Sequence, residues 1–225
     1  MLVRSLMGRP MSPDSTRGQT RMPKVTAHLS ISLDGYVAGP HQTREEPLGV
    51  LGEDLHLWHL GQTDNDVDRA MTARILAPRG AYVMGRNMYA PDRGDWADAA
   101  GGEMWRGWWG ENPPYHAPVF VLTHYPHDPV EMEGGTTFHF VTGFDKAMER
   151  ALEAAGDDTV TIAGGASAVR QGFEAGVIDE IMLNHAPIVL GSGESPFAGL
   201  ANLRLKPIEV HASPNATHVV YSTRD

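Results

Sequence analysis

Glycine-containing turns between predicted strands and helices are the parts of this sequence best suited to binding an anion. The run Gly164-Gly165-Ala166-Ser167 connects an apolar segment directly to a helical pattern. Small residues at such a turn let backbone amides at the start of the helix approach a phosphate closely. A glycine pair can also make an ordinary tight turn, so the dipeptide by itself leaves both interpretations open.

Two further strand ends carry polar side chains. Gly85 and Arg86 repeat the glycine turn with a permanent cation, whose planar fork suits a phosphate. Thr123 follows a third apolar run and could hydrogen-bond to a ligand. Taken singly, an arginine is more often a solvated surface group, and a strand-end hydroxyl more often makes a local structural contact.

Two carboxylates are candidates for contact with a substrate. Asp34 ends the first predicted strand and precedes Gly35, and Asp54 lies on a short predicted helix. Each has a structural alternative, because Asp34 could bond turn amides and Asp54 could be a favourable charge at a helix N-terminus.

A long segment rich in glycine, proline and tryptophan lies between Pro91 and Pro118. Loops of this length in compact domains are usually functional. Its tryptophans could stack on a planar heterocycle, or could form a hydrophobic latch or a dimer surface: Trp96, Trp105, Trp108 and Trp109.

Composition excludes several other classes. The chain of 225 residues has no cysteine, which excludes disulfides, thiolate zinc sites, iron–sulfur clusters and a cysteine nucleophile. The 28 acidic and 18 basic residues give a net charge of −10, which disfavours nucleic acid and membrane surfaces as partners. No apolar run approaches the roughly 18 residues of a membrane span. We expect a soluble, cytoplasmic protein that binds a small molecule and no metal.

Hydrophobic periodicity predicts strands that alternate with helices. The residues Phe144, Ala147, Met148, Ala151 and Leu152 share one face of the clearest helix, where Thr142 and Asp145 have capping-box spacing. Strands are predicted at residues 24–33, 81–85, 119–123, 136–141, 159–163, 178–189, 203–211 and 217–223, and helices at residues 53–60, 65–75, 144–155 and 167–175.

This alternation predicts an α/β fold with a mainly parallel, doubly wound central sheet and an antiparallel C-terminal hairpin. Residues 1–22 are rich in arginine and poor in acids, and are predicted to be a disordered tail before one domain at residues 23–225. In such sheets ligands bind beyond the carboxyl ends of the strands, where the candidate residues above fall.

Five motifs in order resemble the dihydrofolate reductase-like superfamily, in particular the branch related to the reductase domain of the riboflavin-biosynthesis deaminase/reductase. The resemblance runs from about Lys24 to Thr223. Its motifs are residues 32–38 (Ser-Leu-Asp-Gly-Tyr-Val-Ala), 83–86 (Val-Met-Gly-Arg), 118–123 (Pro-Val-Phe-Val-Leu-Thr), 162–166 (Ile-Ala-Gly-Gly-Ala) and 187–193 (Pro-Ile-Val-Leu-Gly-Ser-Gly).

The resemblance implies that NADPH is the cofactor. Gly85 and Arg86 would hold its phosphates, Thr123 and His124 would lie near the adenosine, and the turn at residues 164–167 would cradle the pyrophosphate, with a cis peptide between its two glycines. Met88 departs from the pattern, because dihydrofolate reductases have a threonine there. Asp34 matches the Leu-Asp-Gly motif of the riboflavin-type reductases, and Asp54 lies roughly where dihydrofolate reductases carry the acid that contacts the pterin.

The resemblance favours an NADPH-dependent reductase that transfers hydride to a pterin or an aminopyrimidine. In this hypothesis Asp34 or Asp54 fixes the polar edge of the substrate or assists protonation, and the tryptophan segment closes over the ring. The alternatives are a nucleotide-binding protein without turnover, which Met88 motivates, and a flavin-binding reductase. The family and the exposed C-terminal strands also predict a homodimer.

Overall fold

The part of the chain that the computed structural model describes, residues 23–61, 65–90 and 105–224, forms a nine-stranded sheet with helices packed on it. The expectation for residues 1–22 lies outside these described residues. The strands are β1 Val25–Ile31, β2 Ala81–Gly85, β3 Pro118–Leu122, β4 Val130–Glu131, β5 Thr137–Val141, β6 Val160–Gly164, β7 Glu180–His185, β8 Lys206–Ala212 and β9 Thr217–Ser222.

The strands lie in the order β4-β5-β3-β2-β6-β1-β7-β9-β8. The neighbours from β5 through to β7 pair in parallel, whereas β4, β8 and β9 pair antiparallel with their neighbours. The predicted mainly parallel sheet with its antiparallel C-terminal hairpin is therefore confirmed. The two-residue strand β4 was not predicted, because so short a segment carries no alternation that a sequence pattern could show.

The helices begin and end close to the predicted residues, with two differences in detail. The capping box expected for the helix at residues 144–155 is wrong. Gly143, with φ of 95°, is the N-cap, and the hydroxyl of Thr142 instead donates to the carbonyl of Thr123 at 3.0 Å. A one-turn helix at Arg86 was also not predicted. The helices are α1 Leu57–Leu60, which follows a 3-10 turn at Glu53–His56, α2 Asp66–Ile75, α3 Arg86–Tyr89, α4 Phe144–Ala155 and α5 Ala166–Glu174.

The alternation of side chains along the strands gives the sheet two different faces. On one face α4 and α5 cover an aliphatic core that includes Leu29, Val83 and Ile162. On the other face α1 and α2 pack over β7 and β9, and an aromatic cluster that includes Tyr89 and Phe138 packs over β2, β3 and β5. Both faces of the sheet are therefore covered. Because the central strands are parallel, their carboxyl ends lie at one edge of the sheet, and the predicted site residues lie there.

Candidate functional site

The two glycine turns predicted from the sequence lie side by side at the carboxyl edge of the sheet. Strands β2 and β6 are neighbours, and β1 and β7 follow next in the sheet. A Cβ atom added to Gly85 would lie 3.4 Å from the backbone nitrogen of Gly165. The fold therefore joins into one crevice two turns that stand about eighty residues apart in the chain.

The turn after β6 has a backbone that only glycine adopts readily. The peptide between Gly164 and Gly165 is cis, as the family resemblance implies, and Gly164 has φ of 131°. A Cβ on Gly164 would lie 3.2 Å from Sδ of Met88 and 3.5 Å from Cδ2 of Leu29. Met88, the departure from the family pattern, thus packs against this turn, which gives it a structural role at the crevice.

Helix α5 presents its start to the crevice. Its N-cap is Gly165, and no side chain caps it. The first amides of a helix have no carbonyl partner within that helix, and they carry its positive dipole end. A Cβ on Gly165 would meet no atom within 4 Å, so the space beside this residue at the start of the helix is open. Ala166 is buried behind the turn, whereas Ser167 is exposed and accepts hydrogen bonds from the side chain of Gln171.

The neighbouring strand ends supply a cation and an aromatic ring. Arg86 begins α3 directly after β2, and its guanidinium carbon lies 5.6 Å from the ring centroid of Tyr125. Thr123 is buried, and its hydroxyl accepts a hydrogen bond from the amide of Tyr125 at 3.0 Å, so it shapes the turn after β3. His124 is exposed beside it. Tyr125 was not predicted as a site residue, because its position beside Arg86 depends on the pairing of two strands that are distant in the sequence.

Asp34 joins the end of β1 to the segment that follows β7. Its Oδ1 accepts hydrogen bonds from the hydroxyl of Ser32 at 2.6 Å and the amide of Leu190 at 3.1 Å, and its Oδ2 accepts one from the amide of Gly191 at 2.6 Å. The bond from Ser32, followed by those from the two amides, holds the pKa of Asp34 below its ordinary value. The carboxylate is solvent-exposed and ionised at neutral pH, in agreement with the structural alternative considered for it.

Asp54 lies on the 3-10 turn Glu53–His56, on the wall of the crevice beside β1. Leu55 and Trp58, exposed by only 0% and 1%, anchor this wall to the sheet, and the indole nitrogen of Trp58 donates to the hydroxyl of Ser30 at 2.9 Å. Asp54 itself is partly exposed. Asp34 follows β1 and Asp54 lies on the 3-10 turn, so the structure places the two carboxylates on separate elements.

The tryptophan segment is described only from residue 105 onwards, so Trp96 lies outside the described residues. The indole nitrogen of Trp105 donates to the carbonyl of Tyr89 at 2.7 Å, and the Tyr89 hydroxyl donates to the carbonyl of Trp105 at 2.6 Å. This pair of bonds gives Trp105 a structural role beside the aromatic cluster. Trp108 and Trp109 are exposed, and for them closure over a substrate ring stays a prediction.

The structure shows no metal-binding group and no membrane-spanning helix in the part of the chain that it describes. No set of three or more histidine, aspartate or glutamate side chains there could hold a metal ion. His56 and His59 approach each other, at 3.1 Å between Nδ1 and Nε2, but they have no third ligand beside them among the described residues. Burial, followed by the charge of His59, lowers the pKa of His56 to about 4. No helix among these residues is long and apolar enough to cross a bilayer.

Comparison with known proteins agrees with this fold. A protein named for riboflavin biosynthesis from Shewanella sp. PV-4 has a similar structure, with a TM-score of 0.60 and 24% identity over 88% of this chain and 98% of that one. A pyrimidine reductase-like protein from Corynebacterium diphtheriae gives a TM-score of 0.53 and 14% identity, over 89% and 91% of the two chains.

A third similar structure is a diaminohydroxyphosphoribosylaminopyrimidine deaminase/5-amino-6-(5-phosphoribosylamino)uracil reductase from Thermotoga maritima. Its TM-score is 0.53 and its identity 16%, and the match covers 89% of this chain but only 56% of that longer protein. No curated protein matches the chain by sequence. The family model of the RibD C-terminal domain matches residues 23–219, nearly the whole described fold, and the chain therefore belongs to the RibD C-terminal domain family, a family of reductases.

Proposed function

We propose that this protein is an NADPH-dependent reductase that transfers hydride to a planar heterocycle of the pterin or aminopyrimidine class. The observation that carries the proposal is the open start of α5 at Gly165, next to the Gly85 turn and its arginine. An uncapped helix start with no side chain in front of it fits a pyrophosphate, and Arg86 adds a cation for a further phosphate. Membership in a reductase family supports the same assignment.

When bound, NADPH supplies a hydride to an electrophilic carbon of the heterocycle, and a proton completes the reduction at the adjacent nitrogen. The protein has to hold the cofactor and the substrate side by side and exclude water. The turn at residues 164–167 and Arg86 would hold the phosphates at the ends of β6 and β2. The substrate would then lie beyond the ends of the neighbouring strands β1 and β7, between Asp34 and the wall that carries Asp54.

The two aspartates have different parts in this proposal. Asp34 stays ionised at neutral pH, because its pKa is lowered by the hydrogen bonds from Ser32 and the two amides. It is therefore suited to accepting a hydrogen bond from the polar edge of the substrate rather than to donating a proton. Asp54 lies on the other wall and is the candidate for assisting protonation. Reductase activity that is unchanged in both Asp34→Ala and Asp54→Ala would remove both assignments.

Cofactor binding can be tested directly with two substitutions at one position. The space at Gly165 is open and its φ is −77°, so an alanine fits there without a clash. We expect NADPH to bind the wild-type protein with micromolar affinity in calorimetry and to bind Gly165→Ala more weakly, because the added methyl enters the open space at this residue. We expect Gly165→Asp to bind at least ten-fold more weakly than Gly165→Ala. An aspartate places a negative charge where the phosphates lie, so this comparison separates charge from volume.

The outcomes of that titration distinguish the proposal from its alternatives. No binding of NADPH or NADH to the wild-type protein would refute the cofactor assignment. Binding without reduction of any pterin, pyrimidine or quinone would favour a nucleotide-binding protein without turnover. A yellow purified protein with flavin absorbance would favour a flavin-binding reductase that uses the same crevice.

We also propose that the protein works as a homodimer. Strand β8 is the edge of the sheet and has no strand on its outer side among the described residues. It exposes Ile208 and Val210, by 44% and 63%. An exposed edge strand with apolar side chains favours pairing with a second chain, which would cover both the side chains and the free backbone groups.

A further inference from the structure

Two chain segments surround the place beyond β1 and β7 where the proposed function puts the substrate. They are residues 32–60 and 186–195, which we call the substrate rim. Backbone hydrogen bonds hold them together: the amide of Leu33 donates to the carbonyl of Ile188 at 2.8 Å, that of Val37 to the carbonyl of Glu194 at 2.9 Å, and that of Glu194 to the carbonyl of Ala38 at 3.0 Å. The substrate rim is therefore one connected structure, although its two segments are far apart in the sequence.

The substrate rim is strongly acidic. It carries six carboxylates against one guanidinium, that of Arg44, which gives it a formal charge of −5; the six are Asp34, Glu45, Glu46, Glu53, Asp54 and Glu194. All six are exposed or partly exposed. A second guanidinium contacts the rim from α5, where Arg170 donates to the carbonyl of Ser195 at 3.3 Å. The other cation described at this edge is Arg86, which lies two strands away at the cofactor turn.

Part of the remaining surface of the substrate rim is apolar. Leu33 and Val189 follow the two central strands, and their side chains are exposed by 64% and 63%. Leu51, before the 3-10 turn, is exposed by 55%. Exposed aliphatic side chains at the mouth of a crevice favour contact with the flat face of an uncharged ring. This apolar surface is a second feature, independent of the carboxylates, that disfavours a strongly hydrated anion.

A phosphate group on the substrate needs cations or free amides to replace its water. On the substrate rim the amides of Leu190 and Gly191 are already bonded to Asp34, and the carboxylates would repel a dianion. The similar protein from Thermotoga maritima is named for a phosphoribosylated uracil. From the rim of this chain we infer that its substrate is a neutral or cationic planar heterocycle that carries no phosphate. This inference rests on the proposed function.

A matched pair of ligands tests the inference. We would titrate 5-amino-6-ribosylaminouracil and its 5′-phosphate into the protein saturated with NADP⁺, so that binding occurs without hydride transfer. Calorimetry should give an affinity at least ten-fold higher for the ribosyl compound. Equal or tighter binding of the 5′-phosphate would overturn the inference, as would failure of the ribosyl compound to bind. Failure of NADP⁺ and NADPH to bind would instead refute the proposed function.

A charge added to the substrate rim provides an independent check with a matched control. Leu33→Arg places a guanidinium on an exposed side chain of the rim, and Leu76→Arg places one at the exposed end of α2, outside the rim. We expect Leu33→Arg to reduce the preference for the ribosyl compound at least three-fold, and Leu76→Arg to leave it within two-fold. An equal effect of the two variants would overturn the inference, because net charge alone would then account for the preference.

Discussion

A buried polar network links α2 to strands β7 and β9, and it leads to a sharp prediction about stability. Oδ1 of Asp68 lies 3.0 Å from Nε2 of His218, and Oδ2 accepts a hydrogen bond from the side chain of Asn215 at 2.8 Å. On its other side, Nδ1 of His218 lies 2.7 Å from Oδ1 of Asn184. Asp68, His218 and Asn184 are exposed by 1%, 0% and 0%. Removal of one member therefore leaves buried polar groups without a partner.

We predict that Asp68→Ala lowers the free energy of unfolding by about 3–6 kcal/mol. A hydrogen bond to a charged group contributes about 1.5–3 kcal/mol, and the carboxylate takes part in two. Asp66→Ala is the matched control, because Asp66 lies in the same first turn of α2 but has a side chain exposed by 94%. An exposed ion pair like that of Asp66 with Arg69 contributes about 0–1 kcal/mol.

Urea unfolding followed by circular dichroism measures this difference, provided that the slope of the transition is unchanged between variants. The dependence on pH gives a second observable. Burial favours the protonated acid, but hydrogen bonds from Asn215, Ser213 and His218 outweigh it and lower the pKa of Asp68 below its ordinary value of 3.8. Because the pKa of Asp68 is lower in the folded protein, its ionised carboxylate stabilises the folded state above pH 3.8. This stabilisation is lost as the pH falls below 3.8 through the pKa of the folded state. If the free energies of unfolding of Asp68→Ala and Asp66→Ala differed by less than about 0.5 kcal/mol, the prediction would be refuted.

Two further predictions concern acid sensitivity and assembly. Burial, followed by the charges of Arg79 and His59, lowers the pKa of His28 from 6.5 to about 4. Between these values the unfolded chain binds a proton that the folded protein does not bind, so the free energy of unfolding should fall by on the order of 3 kcal/mol as the pH falls from 6.5 to 4. His28→Gln should flatten the change in unfolding free energy over this range, whereas the same substitution at the exposed His124 should not; equal slopes would contradict the assignment. Light scattering at micromolar concentration should give twice the mass of one chain, and a monomeric mass would contradict the proposed dimer.

The sequence pattern predicted most of the fold because the strands of a parallel sheet are buried on both faces. Runs such as those of β2 and β3 are short, apolar and bounded by turn residues, and the helix α4 repeats its apolar residues with the helical period. The pattern did not predict the one-turn helix α3 or the two-residue strand β4. Elements of that length contain too few residues to show a period, and their formation depends on packing against neighbours.

The site was predictable only where a local turn carries the chemistry. The glycine pair at residues 164–165 and the Gly85-Arg86 turn can each be recognised from a few consecutive residues, and the structure brings them together. The partners of Asp34 at residues 190 and 191 could not be recognised in this way, because they are 156 and 157 residues away in the sequence. The arrangement of carboxylates on the substrate rim likewise arises only when two separate segments meet.

The position of Asp34 in the Leu-Asp-Gly motif did not by itself show whether it has a structural or a substrate-binding role. Its two oxygens hold the segment after β7 against the end of β1, so the shape of the substrate rim depends on it. The same bonds keep the carboxylate ionised and direct one charge toward the rim. Because the phosphates of the proposed cofactor belong at the Arg86 end of the crevice and this charge lies at the other, the two ends favour ligands of different charge. If the proposed function holds, this difference in charge would favour the anionic cofactor at one end of the crevice and disfavour a second anion at the other, before any contact specific to the substrate forms.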